Sequence, residues 1–285
     1  MAKKLNYPMI LTWIIDYFIM FLLFGYYHFM LANNFTPLAL FLILTTLGWI
    51  TLPLAREFFY CWLFPDVIAK KKLEYKYKWS DIFGIFNIFF QYYINFCIGI
   101  YFGIIHWNYT SFIETYIIEV SFQYWAMTLL KDYVCLKYAH PWMHKMENYW
   151  IHLYHHKPRE QLMAIHTYSI DSLDVFIENG IAPILFMIVQ YILTGKVYVH
   201  ACAFFFLGWS DTIIHSANPY SICYFNVFFD YFCKPNIEHV LHHVVQEEYY
   251  IFNSFNHLFN RKSLDEDLKK YNKIFETKIT FDLLI

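Results

Sequence analysis

Residues 140–156 read HPWMHKMENYWIHLYHH, and five of these seventeen positions are histidine. Imidazole is a poor group to place against lipid and an ordinary one to place against a metal ion. His140 and His144 stand four apart, and His152, His155 and His156 follow as HxxHH. A second HxxHH comes far downstream at His239, His242 and His243. On a helix, residues three and four apart share a face, so each spacing gathers two or three ring nitrogens on one stripe. With 14 histidines in 285 positions, one HxxHH is expected about 0.03 times by chance, so two of them are a strong signal.

The rest of the chain is oily. It is 59% hydrophobic, 23% aromatic and only 15% charged, with a mean hydropathy of +0.33. A soluble domain carries about a quarter charged residues, so lipid is the main solvent here. A formal charge of −2 leaves no basic footprint for nucleic acid. The six cysteines, Cys61, Cys97, Cys135, Cys202, Cys223 and Cys233, never form CxxC and are read as buried free thiols.

Apolar runs of about 20 residues can cross the hydrocarbon core. Pro8 to Leu31 and Pro37 to Leu54 form one candidate hairpin; Asp81 to His106 and Ser111 to Leu130 form another. A later run, Ile181 to Leu193, breaks at Thr194-Gly195-Lys196 and resumes from Val197 to Ile214; its first half is short enough to be re-entrant. The first run is too long for a signal peptide and contains Asp16. The pattern predicts an all-α polytopic membrane helix bundle of two hairpins, about four spans, plus that further hairpin at about 181–215. Residues 1–130 form the transmembrane hairpins, and 131–285 carry the histidine boxes. Residues 131–180 and 216–285 form a cytosolic helical cap.

Lysine and arginine set the orientation. Lys3 and Lys4 precede the first run; Arg56, Lys70, Lys71, Lys72, Lys76 and Lys78 follow the second. Lys131, Lys137, Lys145, Lys157 and Arg159 follow the fourth, and the tips ANNFT and WNYT have none. The N-terminus and the boxes are therefore expected on the cytosolic side. The sequons at Asn34 and Asn108 fall opposite.

Eight box histidines exceed the four to six ligands of one ion, so two ions sharing them is the natural count. Imidazole sites without thiolate suit iron, zinc or copper, and a metal pair can handle two electrons together. His215, at the end of the last run, is a ninth candidate, with Asp211 one turn earlier placed to accept from its other ring nitrogen. His166 is open between a pocket role and a structural one. His28, His106, His200 and His257 are read as interfacial or structural. Glu147, Glu160, Asp174 and Glu238 are read as solvated charges or partners of the ligands. Trp142, Tyr149, Trp150 and Tyr154 either wall the pocket or form an interfacial belt.

The order HxxxH, HxxHH, a histidine ending a later span, then HxxHH resembles the membrane-bound fatty acid hydroxylase/sterol desaturase superfamily. Its close first two boxes are similar to the sterol desaturase branch. Ser172-Leu173-Asp174 resembles that family's Pro-Leu-Asp turn, His215-Ser216 its HSG-like motif, and 257–261 its Trp-Asp-Arg/Lys segment, with Phe259 and Asn260 in place of Trp and Asp. The resemblance implies two iron ions held by His140, His144, His152, His155, His156, His215, His239, His242 and His243. The eight box histidines would be catalytic. It further implies O2 as co-substrate, cytochrome b5 or a similar electron donor, and a lipid substrate hydroxylated or desaturated in lipid biosynthesis at the endoplasmic reticulum. The alternative from another class is a non-enzymatic membrane metal-binding or transport protein, whose ligands should be strung along a path through the spans.

Overall fold

The structure, a computed structural model, describes residues 6–33, 35, 36, 39, 42, 43, 45–65, 79–106, 111, 113–156, 164–216, 218–221, 235–245 and 261–280. The lysine cluster at 70–78, the WNYT tip, Asn34, Lys157, Arg159, Glu160, Cys223, Cys233 and His257 lie outside them, as does part of the predicted 37–54 span.

Among the described residues, helix accounts for 80% and strand for 2%, in keeping with the all-α expectation. Helix α1 (Tyr7–Ala32) is followed by a π-helical turn (Thr46–Thr51) running into α2 (Leu52–Leu63) and then by α3 (Trp79–Tyr101). A long helix α4 covers 113–143, with wide π turns at Ile113–Val120 and Lys131–Ala139, and α5 is the single turn Tyr149–His152. Helix α6 (Ser172–Thr194) contains a π turn at Phe176–Gly180; α7 (Ala201–Ile214), α8 (Pro235–Val245) and α9 (Arg261–Phe275) follow. Two residues of β1 (Ile105–His106) pair in parallel with two of β2 (Val199–His200).

Among the described residues, three helical segments are long and apolar enough to cross a membrane: Tyr7–Met30, Ile82–Tyr101 and Ser172–Thr194. The first and second coincide with predicted spans. The third corrects an expectation. The run from Ile181 is the continuation of a helix that starts at Ser172, so residues 172–180 belong to a span-length helix, and its length no longer argues for a re-entrant loop. Helix α4 falls short of that apolarity because Glu114, Glu119 and Gln123 interrupt it.

Outward faces carry the apolar residues that water would reject. Leu11, Ile14, Phe18, Phe21 and Phe29 recur at helical spacing on exposed α1, as do Phe83, Phe86, Phe90, Ile94 and Ile98 on α3. The opposite faces pack on α4, α6 and α7 around Trp49. Its indole Nε1 donates to the Phe205 carbonyl at 3.0 Å, and its ring lies 10° from that of Phe205. Gly48 and Gly208 permit this approach: a Cβ at Gly208 would stand 2.6 Å from Trp49 Cζ2.

Two buried cations are paired. Arg56 makes a two-pronged contact with Asp16, 2.5 and 2.8 Å, and Tyr60 donates to the same carboxylate at 2.6 Å. Lys131 is buried against Asp211 and donates to Asn179 Oδ1 at 2.6 Å. Two cations read from the sequence as orientation markers are thus structural ion pairs. They no longer count as loop charges.

Candidate metal centre

The first box sits where α4 ends. Pro141 has no N–H to offer the preceding turn, and the π turn Lys131–Ala139 leads directly into His140–Met143. His140 and His144 then project together, ring centroids 4.8 Å apart. The second box follows a tight turn in which Asn148 donates from Nδ2 to the Trp142 carbonyl at 3.1 Å. Met143, Ile151 and Ile177 form a small apolar cluster that pins this turn onto α6. The third box lies on α8. Ile237, Val240 and Leu241 face Met9, Tyr271 and Phe275, leaving His239, His242 and His243 on the remaining face.

All nine candidate histidines come together, and they divide into two groups. His140, His144, His152, His156 and His242 could hold one ion, and His155, His215, His239 and His243 another. The boxes are therefore not the binding units. In each HxxHH, the outer pair four residues apart serves one group and the middle histidine serves the other. His155 leaves His152 and His156, and His242 leaves His239 and His243. On α8, at about 100° per residue, His242 points away from the common direction of His239 and His243, toward the neighbouring pocket; His155 and His156 lie in the turn beyond α5.

The donor geometry fits metal ions. In the first group the Nε2 atoms of His140, His144 and His242 are 2.9, 3.2 and 3.2 Å apart. In the second, His215 Nε2 lies 2.7 Å from that of His239 and 3.2 Å from that of His155, and His243 Nε2 is 3.1 Å from that of His239. Nitrogens about 2.0–2.1 Å from an ion, at angles between octahedral and tetrahedral, stand about 2.9–3.4 Å from each other. His152 Nε2 is fully buried and makes no hydrogen bond.

Hydrogen bonds behind the rings orient them. His140 donates from Nδ1 to Glu178, and His152 donates from Nδ1 to Asp174 Oδ2 at 2.7 Å. Asp174 and Glu178 are one turn apart on α6, so a single helix holds two ligand rings with Nε2 inward. His152, Asp174 and Glu178 also form a smaller group able to hold an ion. Asp174 was read as solvated or as a ligand's partner, and only the second reading survives its complete burial. Glu178 was not singled out from the sequence; its i+4 spacing from Asp174 was the available signal.

His215 Nδ1 donates to the backbone carbonyl of Asp211 at 2.7 Å. This corrects the expected carboxylate contact, because that carboxylate is engaged by Lys131. His166 is buried but belongs to neither group. His200 caps α7, accepting from the Cys202 N–H at 3.2 Å, as a structural residue would. Tyr149 packs on His144 and His156, whereas Trp142 and Trp150 face outward. Glu147 is exposed, as a solvated charge should be. Cys61, Cys97, Cys135 and Cys202 are free thiols.

Burial favours the neutral form of several of these imidazoles. It lowers His144 to about 3, with repulsion from His140 adding to the effect, and lowers His155 to about 4 despite the opposing pull of Glu178. His239, His242 and His243 are also held well below the ordinary range, by burial first and by neighbouring imidazoles second. Comparison with protein-family models, with curated proteins and with solved structures finds none that matches this chain.

Proposed function

We propose that this chain is a membrane-embedded di-iron oxygenase that hydroxylates or desaturates a lipid. The observation that carries the reading is the convergence of nine imidazoles into two adjoining groups, five and four, beside helices of membrane-spanning length. Two adjacent redox ions can draw two electrons from a reductant and pass them to O2, the chemistry an unactivated C–H bond requires. In hydroxylation, one oxygen atom enters the C–H bond and the other leaves as water, with two electrons and two protons taken up.

The chain's own residues supply the setting. Glu178 and Asp174 keep protons on Nδ1 of His140 and His152 and leave the Nε2 lone pairs for the ions. The Asp211 carbonyl does the same for His215. The buried walls exclude water from the site. The reductant, cytochrome b5 or a similar carrier, docks on the cytosolic face beside the boxes, and the substrate arrives from the bilayer of the endoplasmic reticulum. Transport would call for ligands spaced along a span, and these nine are gathered in one place.

Metal analysis of protein purified without oxygen is the test. Two irons per chain and reductant-dependent O2 consumption with a changed lipid profile are expected. Tightly held zinc without turnover would replace this reading with a metal-binding protein.

A further inference from the structure

Between α3 and α6 lies a cavity of about 380 Å³ that has no part in the metal groups. Phe96, Ile105, Val175, Ile184, Met187 and Phe204 provide its apolar wall. Its polar side chains are neutral: Gln91, Tyr92, Asn95, Ser172 and Asn179. Among the described residues no carboxylate, ammonium, guanidinium or imidazole lines it, so a charged ligand would lie there uncompensated. Both flanking helices are of membrane-spanning length and expose apolar residues on either side, Phe86 and Phe90 on one and Ile188 and Ile192 on the other. An occupant therefore comes from lipid and not from water.

Reach narrows the choice. The cavity lining follows α6 from Ser172 to Met187, about 22 Å at 1.5 Å per residue. Ile105 and Val199, paired across the β1–β2 bridge, are part of its wall. That shape is elongated.

The cavity also adjoins the metal centre through α6. Asp174 and Glu178 hold the ligand rings, while Val175 and Asn179, the next residue in each case, face the cavity. Tyr92, Val175 and Asn179 line a second small void that reaches Asp211. Asn179 and Lys131 are hydrogen-bonded, and Lys131 meets Asp211, whose carbonyl orients His215.

We propose that the space between α3 and α6 is a binding site for a single unbranched hydrocarbon chain, entered sideways from the bilayer. This deepens the oxygenase reading and rests on it for the view that the bound chain is substrate.

The test uses the full chain in phosphatidylcholine nanodiscs and an uncharged, unbranched primary alcohol bearing a terminal diazirine. After irradiation, labelled peptides are expected from the walls, 91–105 and 172–187. The same alcohol without the diazirine should reduce labelling by about tenfold, and cholesterol at the same mole fraction should not. Met187→Trp, which fills the cavity, should reduce it similarly, and Met187→Leu should restore it, with metal content measured on both. Labels confined to outer faces, equal displacement by cholesterol, or full labelling of a metal-replete Met187→Trp would each overturn the proposal. If the tryptophan variant loses its metal, the wild-type map and the sterol competition still decide. Labelled walls in a protein that holds no iron would keep the cavity proposal and remove the oxygenase reading.

Discussion

The rings of His156 and His243 stack at 4.5 Å between centroids, 29° apart, although the two belong to different ligand groups. They are the seam along which the two candidate ion sites adjoin. Removing His243 takes one of four ligands from the second group and leaves the five of the first intact. His243→Ala is expected to lower the metal-to-protein ratio by roughly half, read by elemental analysis. An unchanged ratio would mean that the four-histidine group holds no ion.

Glu178 acts on the first group from behind His140. Glu178→Gln keeps the shape but weakens the acceptor that fixes the ring, so metal affinity should fall by about 10–100-fold in chelator competition. Asp174→Asn should behave alike through His152. Wild-type affinity in both variants would show that these carboxylates do not orient the ligands.

Lys131 and Asp211 neutralise each other inside the bundle. Lys131→Met strands a buried carboxylate and should cost about 3–5 kcal/mol of stability, whereas adding Asp211→Leu to it should recover most of the loss. Retention of the folded, monodisperse protein after graded heating distinguishes the two. Equal losses in single and double variants would contradict an ion-pair role.

Gly208 faces Trp49 with no room for a methyl group. Gly208→Ala should destabilise by about 1–3 kcal/mol through overpacking. Intrinsic tryptophan fluorescence during thermal unfolding would register it as a lower midpoint. No shift would mean that Trp49 is free to move aside.

The metal-free protein should lose stability in acid. His144 and His155 sit at about 3 and about 4 when folded, against 6.5 for an ordinary histidine. Between those values the unfolded chain binds protons that the folded chain refuses, so stability present above about pH 6.5 is lost as the pH falls toward 4. Unfolding midpoints measured across that window should decline steadily with acid. A flat profile would show these imidazoles to be solvated.

Much of the site was legible in the chain because helical spacing is a local property. His140 and His144, the two HxxHH boxes and a histidine closing an apolar run name all nine gathered residues. The apolar runs of α1 and α3 are equally local, since about 20 consecutive oily residues have one comfortable environment. The start of α6 was misplaced because Ser172 to Gly180 is mixed in composition and helical only in context.

What the linear order determined is which imidazoles gather into groups that could hold ions, and that they lie beside helices of membrane-spanning length. What only the tertiary structure decided is how they divide, and what stands behind them. Each HxxHH box splits between two groups, whereas His140 and His144 stay together, because its middle imidazole diverges in direction from the outer pair and meets partners from other segments. Glu178 reaches His140 across 38 positions, and Lys131 reaches Asp211 across 80. Such distances along the chain leave no periodicity to read. Burial then selects the partners, since a charge withdrawn from water is stable only where its counter-charge has been brought by the fold.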